Sequence, residues 1–184
     1  VEHELRGPAP QQGAALSRRT ALLPGSIAVV LVVLDQITKA WIWNFFGGLE
    51  SASVPLVGSW LRFTLVYNTG VAFSLFKDIP YLFTIMPVLI SIGAVYFYLY
   101  HLPNHRTLIQ VCVGMIIGGA IGNIIDRLRL GFVIDFIHVT WFPGIFNLAD
   151  SAITVGVILL AGYLLIVGEE TPRRAAADEA LLGE

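Results

Sequence analysis

"NLADSAITVGVILLAGYLLIV", Asn147 to Val167, decides the fold. Beyond Asp150 it carries no charge, and a bilayer core of ~30 Å needs roughly 20 helical residues, so the run reads as a membrane span. Three further runs of similar character precede it: Gly25 to Phe46, Ile79 to Tyr100 and Leu108 to Ile125. Pro87 is expected to kink the second of them, which neighbouring helices tolerate inside a membrane. With 56% hydrophobic and 13% charged residues, and a mean hydropathy of +0.76, the chain is far too apolar for a soluble domain of its length. The expected fold class is a mainly α membrane protein, a bundle of four transmembrane helices with a small extracytoplasmic β element.

Several function classes fall away on composition. A net charge of -2 without a basic stripe excludes nucleic acid as a partner. The lone cysteine, Cys112, lies in an apolar run and offers neither an internal disulfide nor a Cys-rich metal site. The outer side has no compact His/Cys/Glu cluster of the kind zinc prefers, so neither a metal nor a cofactor is expected. Gly114, Gly118 and Gly122 superficially suggest a nucleotide loop, but no strand precedes them; they leave a bare helix face that should pack closely on another helix. Arg18 and Arg19 precede the first run in the manner of a secretory signal, yet the run is too long and lacks a clear small-residue cleavage site, so it reads as a retained helix.

Lys and Arg set the orientation. Four spans put both termini on one side with Arg6, Arg18, Arg19, Arg106, Arg173 and Arg174, against Arg62, Lys77, Arg127 and Arg129 on the other. The bias favours cytoplasmic termini. The resulting organisation is a polar cytoplasmic tail over 1–20, a membrane domain over 21–168 and a second cytoplasmic tail over 169–184, the tails being poorly ordered or short surface helices. The outer β element is expected over about 47–78 and 130–146. There "WLRFTLVYNTG" alternates, with Leu61, Phe63, Leu65 and Tyr67 on one face and Arg62, Thr64, Val66 and Asn68 on the other. In "GFVIDFIHV", Val133, Asp135, Ile137 and Val139 share a side.

Charges inside such a chain need an account. Asp35 and Lys39 cost ~2.5 to 3.5 kcal/mol each at a span centre, so they avoid lipid; their i, i+4 spacing suits a structural salt bridge as well as a functional pair. Asp126 reads as an interfacial anchor, and Arg127 either as the same or as a clamp on a carbonyl or phosphate. Asp150 suits the first turn of a helix, with Asn147 as its N-cap. Asp135, between Ile134 and Phe136 in an apolar strand, has no such role and needs a partner or a proton. Asp135 and Asp150 lie on the outer side of the same two helices and could meet as a functional acid pair. An ion-coupled transporter remains open, since acids within spans commonly mark ion pathways, although no internal repeat is present and both acids sit at the outer edge. So does a noncatalytic scaffold, which would leave Asp135 unexplained.

The ordered set "DQITK" (Asp35 to Lys39), "NTGVAFS" (Asn68 to Ser74), "GNIIDR" (Gly122 to Arg127), "GFVIDFI" (Gly131 to Ile137) and "FNLADSAI" (Phe146 to Ile153) resembles bacterial lipoprotein signal peptidase, or signal peptidase II. Singly these motifs are weak; their order along the chain is specific. The likeness spans Gly25 to Val167, with a compact connection from Asp135 to Asp150. It implies an aspartyl endopeptidase of the bacterial inner membrane, active near the outer leaflet. Such an enzyme cleaves diacylglyceryl-modified prolipoproteins on the N-terminal side of the lipidated cysteine with dyad-activated water, and globomycin inhibits it. The implied catalytic pair is Asp135 and Asp150. Asn123, Arg127 and Asn147 are implied around the substrate backbone or the dyad, Asp35 and Lys39 in support, and Asn68 and Gly70 in the outer loop against the substrate. The implied partners are the prolipoprotein and membrane lipid, with the monomer as the working unit.

Overall fold

The computed structural model describes residues 18–70, 82–103 and 105–182; side chains at 18–20, 82–88, 90 and 167–182 lie outside that description. The first tail up to residue 17, the "VAFS" of the second motif and the kink expected at Pro87 therefore fall outside it. The element order is α1 (Arg18–Phe45), β1 (Ser53–Val57), β2 (Leu61–Asn68), α2 (Leu82–Tyr100), α3 (Thr107–Leu130), β3 (Val133–Val139), β4 (Ile145–Phe146) and α4 (Leu148–Leu182). Among the described residues three helices are long and apolar enough to cross a membrane: Ala21–Phe45, Thr107–Leu130 and Leu148–Ile166. In α2 the described apolar stretch, Ser91–Tyr100, is shorter.

Helix α3 is central. Its span is 61% buried against 17% for those of α1 and α4, which present Val29, Val33, Ile37, Ile158 and Leu165 outward. Glycines bring its neighbours close. A Cβ at Gly114 or Gly118 would stand 2.8 Å from Pro24 O or 2.9 Å from Ala28 Cα, so the bare face packs on α1. On its other side a Cβ at Gly119 would stand 2.4 Å from Ala149 O, which seats α4. Backbones can approach this way only where side chains are missing.

Three helix ends differ from expectation: α1 begins at Arg18, inside the segment expected as a tail and ahead of the apolar run from Gly25, and two C-terminal ends run on. Helix α3 runs past Ile125 to Leu130 because Asp126, in place of ending it, is neutralised inside the protein. It stops at Gly131, whose φ of 83° suits glycine and whose N–H reaches Arg127 O, with Arg127 and Arg129 placed favourably in the last turn. Helix α4 continues past Val167 to Leu182, through the segment expected as a polar tail. Its Glu, Arg, Ala and Leu residues are good helix formers.

The strands form one antiparallel sheet in the order β1-β2-β3-β4. Leu65, Ile134 and Phe136 pack from it onto Ile42 of α1, fixing the sheet to the helices. The alternation expected along β2 is kept, with Phe63, Leu65 and Tyr67 on the core side, but its pairing with β3 slips. Phe63 pairs with Ile137 but Val66 pairs with Asp135, a one-residue slip between them. Such a bulge re-aims the side chains after it, here Val66 and Asn68 toward the strand of Asp135.

Candidate active site

Asp135 sits on β3, 1% exposed, and both its oxygens are taken. Asn68 Nδ2 donates to Oδ2 and Asn147 Nδ2 to Oδ1, each at 2.7 Å. Asn68 is held in turn by its own loop, its Oδ1 accepting the N–H of Gly70 at 2.8 Å. Gly70 has a φ of 81°, left-handed backbone that a side chain would strain.

Asp150 stands in the first turn of α4, where Asn147 is the N-cap anticipated above. Asn147 Oδ1 accepts the Asp150 N–H at 2.9 Å, and Asp150 Oδ2 accepts the Asn147 N–H at 3.3 Å. This reciprocal box presets the Asp150 rotamer. Its other oxygen accepts Asn123 Nδ2 at 2.7 Å. Asn123 cannot turn its amide over, because its Oδ1 already accepts Lys39 Nζ at 2.9 Å and Asn147 Nδ2 at 3.1 Å. One amide nitrogen, Asn147 Nδ2, thus links Asp135 to Asn123, and Asn123 passes the linkage to Asp150.

Behind this pair lies a buried ion cluster. Lys39 Nζ is 2.8 Å from Asp35 Oδ2 and 2.9 Å from Asp126 Oδ2, with all three residues nearly sealed from solvent. The expected i, i+4 pair is present, but Asp126 is not the interfacial anchor the sequence suggested. It accepts the Ile134 N–H at 3.1 Å and so pins the start of β3. Asp35 accepts the Ala149 N–H of α4 at 3.2 Å, and Gln36 Nε2 reaches Asp126 Oδ1 at 2.9 Å. Sequence reasoning gave Asp126 only an interfacial role and passed over Gln36. The available signal was spacing: Gly122, Asn123 and Asp126 share one helix face, and Gly122 lies against the Asp35 carboxyl. Removing one partner from a buried ionic cluster strands the others, at about 3–5 kcal/mol. Lys39→Met is therefore expected to lower thermal stability in detergent well below wild type, and an unchanged melting temperature would show the cluster to be dispensable.

Burial above all, and then the nearby Asp150, pushes the Asp135 carboxyl up to about 7, against the lowering effect of the Asn68 and Asn147 amides. Arg127, half-buried at the end of α3, interacts electrostatically with Asp150, Asp135 and Asp126, and its Nη1 donates to Asn123 O at 3.5 Å. Each aspartate also opens on a cavity. Asp135 lines one of about 330 Å³ with Tyr67, Asn68, Thr69 and Gly144. Asp150 lines a more apolar one of about 380 Å³ with Val139, Phe146, Ser151, Thr154 and Val155. The structure thus gathers Asp35, Lys39, Asn68, Asn123, Asn147, Asp135 and Asp150 into one connected network, with Gly70 joined through Asn68 and Arg127 through Asn123. Two carboxyl groups held so, one of them protonated near neutrality, can act as a paired acid and base.

Comparison with known proteins agrees with the architecture. Residues 27–166 match the family model of signal peptidase (SPase) II. The lipoprotein signal peptidase of Caulobacter vibrioides is 46% identical over 142 residues, covering 73% of this chain and 82% of that protein. That of Moorella thermoacetica is 40% identical over 147 residues, covering 80% and 95%. A solved bacterial membrane enzyme, determined by the in meso method at 1.9 Å resolution, superposes with a TM-score of 0.71 at 32% identity, covering 84% of this chain and 97% of its own. With the match running from inside α1 to the end of the apolar part of α4, the chain belongs to the signal peptidase II family.

Proposed function

We propose that the chain is an aspartyl endopeptidase of the bacterial inner membrane that removes the signal peptide from prolipoproteins. It cuts on the N-terminal side of a cysteine already carrying diacylglycerol. The observation that carries the chemistry is the pair of carboxyls from different elements, Asp135 and Asp150, joined through the amides of Asn147 and Asn123. Burial first, and then the negative charge of Asp150, raise the Asp135 carboxyl to about 7, so the pair can hold one proton near neutrality. The ionised member takes a proton from water, whose oxygen attacks the scissile carbonyl, while the protonated member donates to the carbonyl oxygen. On collapse the C–N bond breaks and a proton passes to the leaving nitrogen. No metal and no covalent intermediate enter. Membership of the signal peptidase II family removes the support for an ion-coupled transporter.

In this reading Asn123 and Asn147 align the pair, and the Asp35–Lys39–Asp126 cluster fixes Asn123. Arg127 balances the negative charge, and Asn68 with Gly70 faces the peptide. Helix α2 is the fourth span. Both termini are cytoplasmic, the site stands near the outer leaflet, and the monomer suffices. The more apolar cavity beside Asp150 suits acyl chains, and the one beside Asp135 suits the peptide.

The test is product analysis on a purified, lipidated prolipoprotein. Mass spectrometry should find a product beginning at the diacylglyceryl cysteine with a free amine, and EDTA should leave the rate unchanged. Cleavage elsewhere, or loss with EDTA that a divalent metal restores, would overturn the assignment. The proton carries a second expectation. Because burial raises the Asp135 carboxyl to about 7, rising pH removes the shared proton there, and kcat/KM should fall as pH climbs through about 7. A profile flat from pH 6 to 9, roughly two units past that value, would mean that this proton is not used.

A further inference from the structure

Two hairpin tips carry bulky apolar side chains that are largely exposed and form no part of the hydrogen-bonded acid network. Trp60 and Val57, at the β1–β2 turn, are each 48% exposed; Trp141 and Phe142, at the β3–β4 turn, are 77% and 47% exposed. The tips are neighbours, since the Thr140 N–H donates to Trp60 O at 2.9 Å. Neither contains a charged residue from Val57 to Leu61 or from Val139 to Ile145, so neither opposes transfer out of water. Depth is set by α4. Trp141 and Phe142 form one wall of the cavity whose other wall is Ser151, Thr154 and Val155. Thr154 lies six residues past Leu148, ~9 Å along the helix at ~1.5 Å per residue, so the second tip stands beside the second turn of a span. That patch is continuous with the outward-facing Val155 and Ile158 of the same helix.

We propose that the two hairpin tips form a membrane-docking surface: Trp60, Trp141 and Phe142 sit in the headgroup–acyl boundary of the leaflet beside the site. Indole rings favour this zone because one edge is apolar and the other hydrogen-bonds to water and headgroups. The inner end of β3 is already tied to α1, to Asp126 of α3 and to Asn147 at the head of α4; docking of the tips holds the far end of the sheet, beyond these ties, at a fixed height against the bilayer. The proposal rests on α4 crossing the bilayer and is independent of the acid chemistry.

Fluorescence in lipid nanodiscs tests it. Trp41→Phe and Trp43→Phe, combined with Trp60→Phe or with Trp141→Phe, leave one tip indole as the sole emitter. Phosphatidylcholine brominated near the top of its acyl chains should cut that emission by roughly twofold, and iodide should quench it several-fold less than a free indole. Full quenching by iodide with no effect of brominated lipid would place the tips in water and overturn the proposal. Shielding that appears only at high protein density would assign the surface to a second copy and overturn it equally. A second measurement avoids the multiple replacements. Cys112 is fully buried, so Trp141→Cys can carry a nitroxide alone, and its relaxation should respond more to oxygen than to a water-soluble nickel chelate. The reverse order would sink the proposal.

Discussion

Asp135→Asn and Asp150→Asn are each expected to lower kcat by about three to four orders of magnitude, the upper range for a group that moves protons in the transition state. At ~1.36 kcal/mol per tenfold this is about 4–5.5 kcal/mol of transition-state stabilisation. The substitutions are not silent structurally. Both oxygens of each carboxyl accept N–H donors: Asn68 and Asn147 at Asp135, and Asn123 with the Asn147 backbone at Asp150. An amide must turn its own NH2 toward one of them, a mismatch costing about 1–3 kcal/mol. A moderate fall in melting temperature should therefore accompany the loss. The two quantities must be measured on the same preparation. If either variant stays folded and cleaves at more than about a tenth of the wild-type rate, Asp135 and Asp150 are not the reacting pair.

The geometry also shows which parts of the site were readable beforehand. Asn147 and Asp150 were, because a helix start demands short acceptors at set positions and the structure has both in reciprocal bonds. Asp35 and Lys39 were, because charge inside a span needs a local partner and i, i+4 supplies one. Asp126 was not. Its cation lies on another helix, and only the close approach that the glycines of α3 permit brings Lys39 within 2.9 Å. The strands were visible as alternation, but the slip between Phe63 and Val66 was not, since a bulge preserves the residue pattern while changing the pairing. Pairing of Asp135 with Asp150 was suggested by their common side. The means of joining them, the Asn123 and Asn147 amides with every orientation dictated by a neighbour, is a tertiary property that spacing does not encode.

Lipidation should decide how fast a precursor is cut. The cavity beside Asp150 runs from the acid along Ser151, Thr154 and Val155, and so descends a membrane-crossing helix from the proposed point of cleavage. An acyl chain laid there tethers the modified cysteine within reach of the acids. Most of the ~0.8 kcal/mol per buried methylene is already gained in the bilayer, so only contacts that orient the scissile bond can favour reaction. Three or four methylenes read in that way still amount to about two orders of magnitude in kcat/KM. An unlipidated precursor, or one with Ser in place of the cysteine, is thus expected to react about a hundredfold more slowly than its lipidated form in the same detergent. Comparing kcat/KM for the two, on one enzyme preparation, separates this requirement from the acid chemistry, because Asp135→Asn removes both reactions while a lipid requirement removes only one. A ratio near unity would show that the diacylglyceryl group is not recognised, and the peptide alone would then have to supply the specificity.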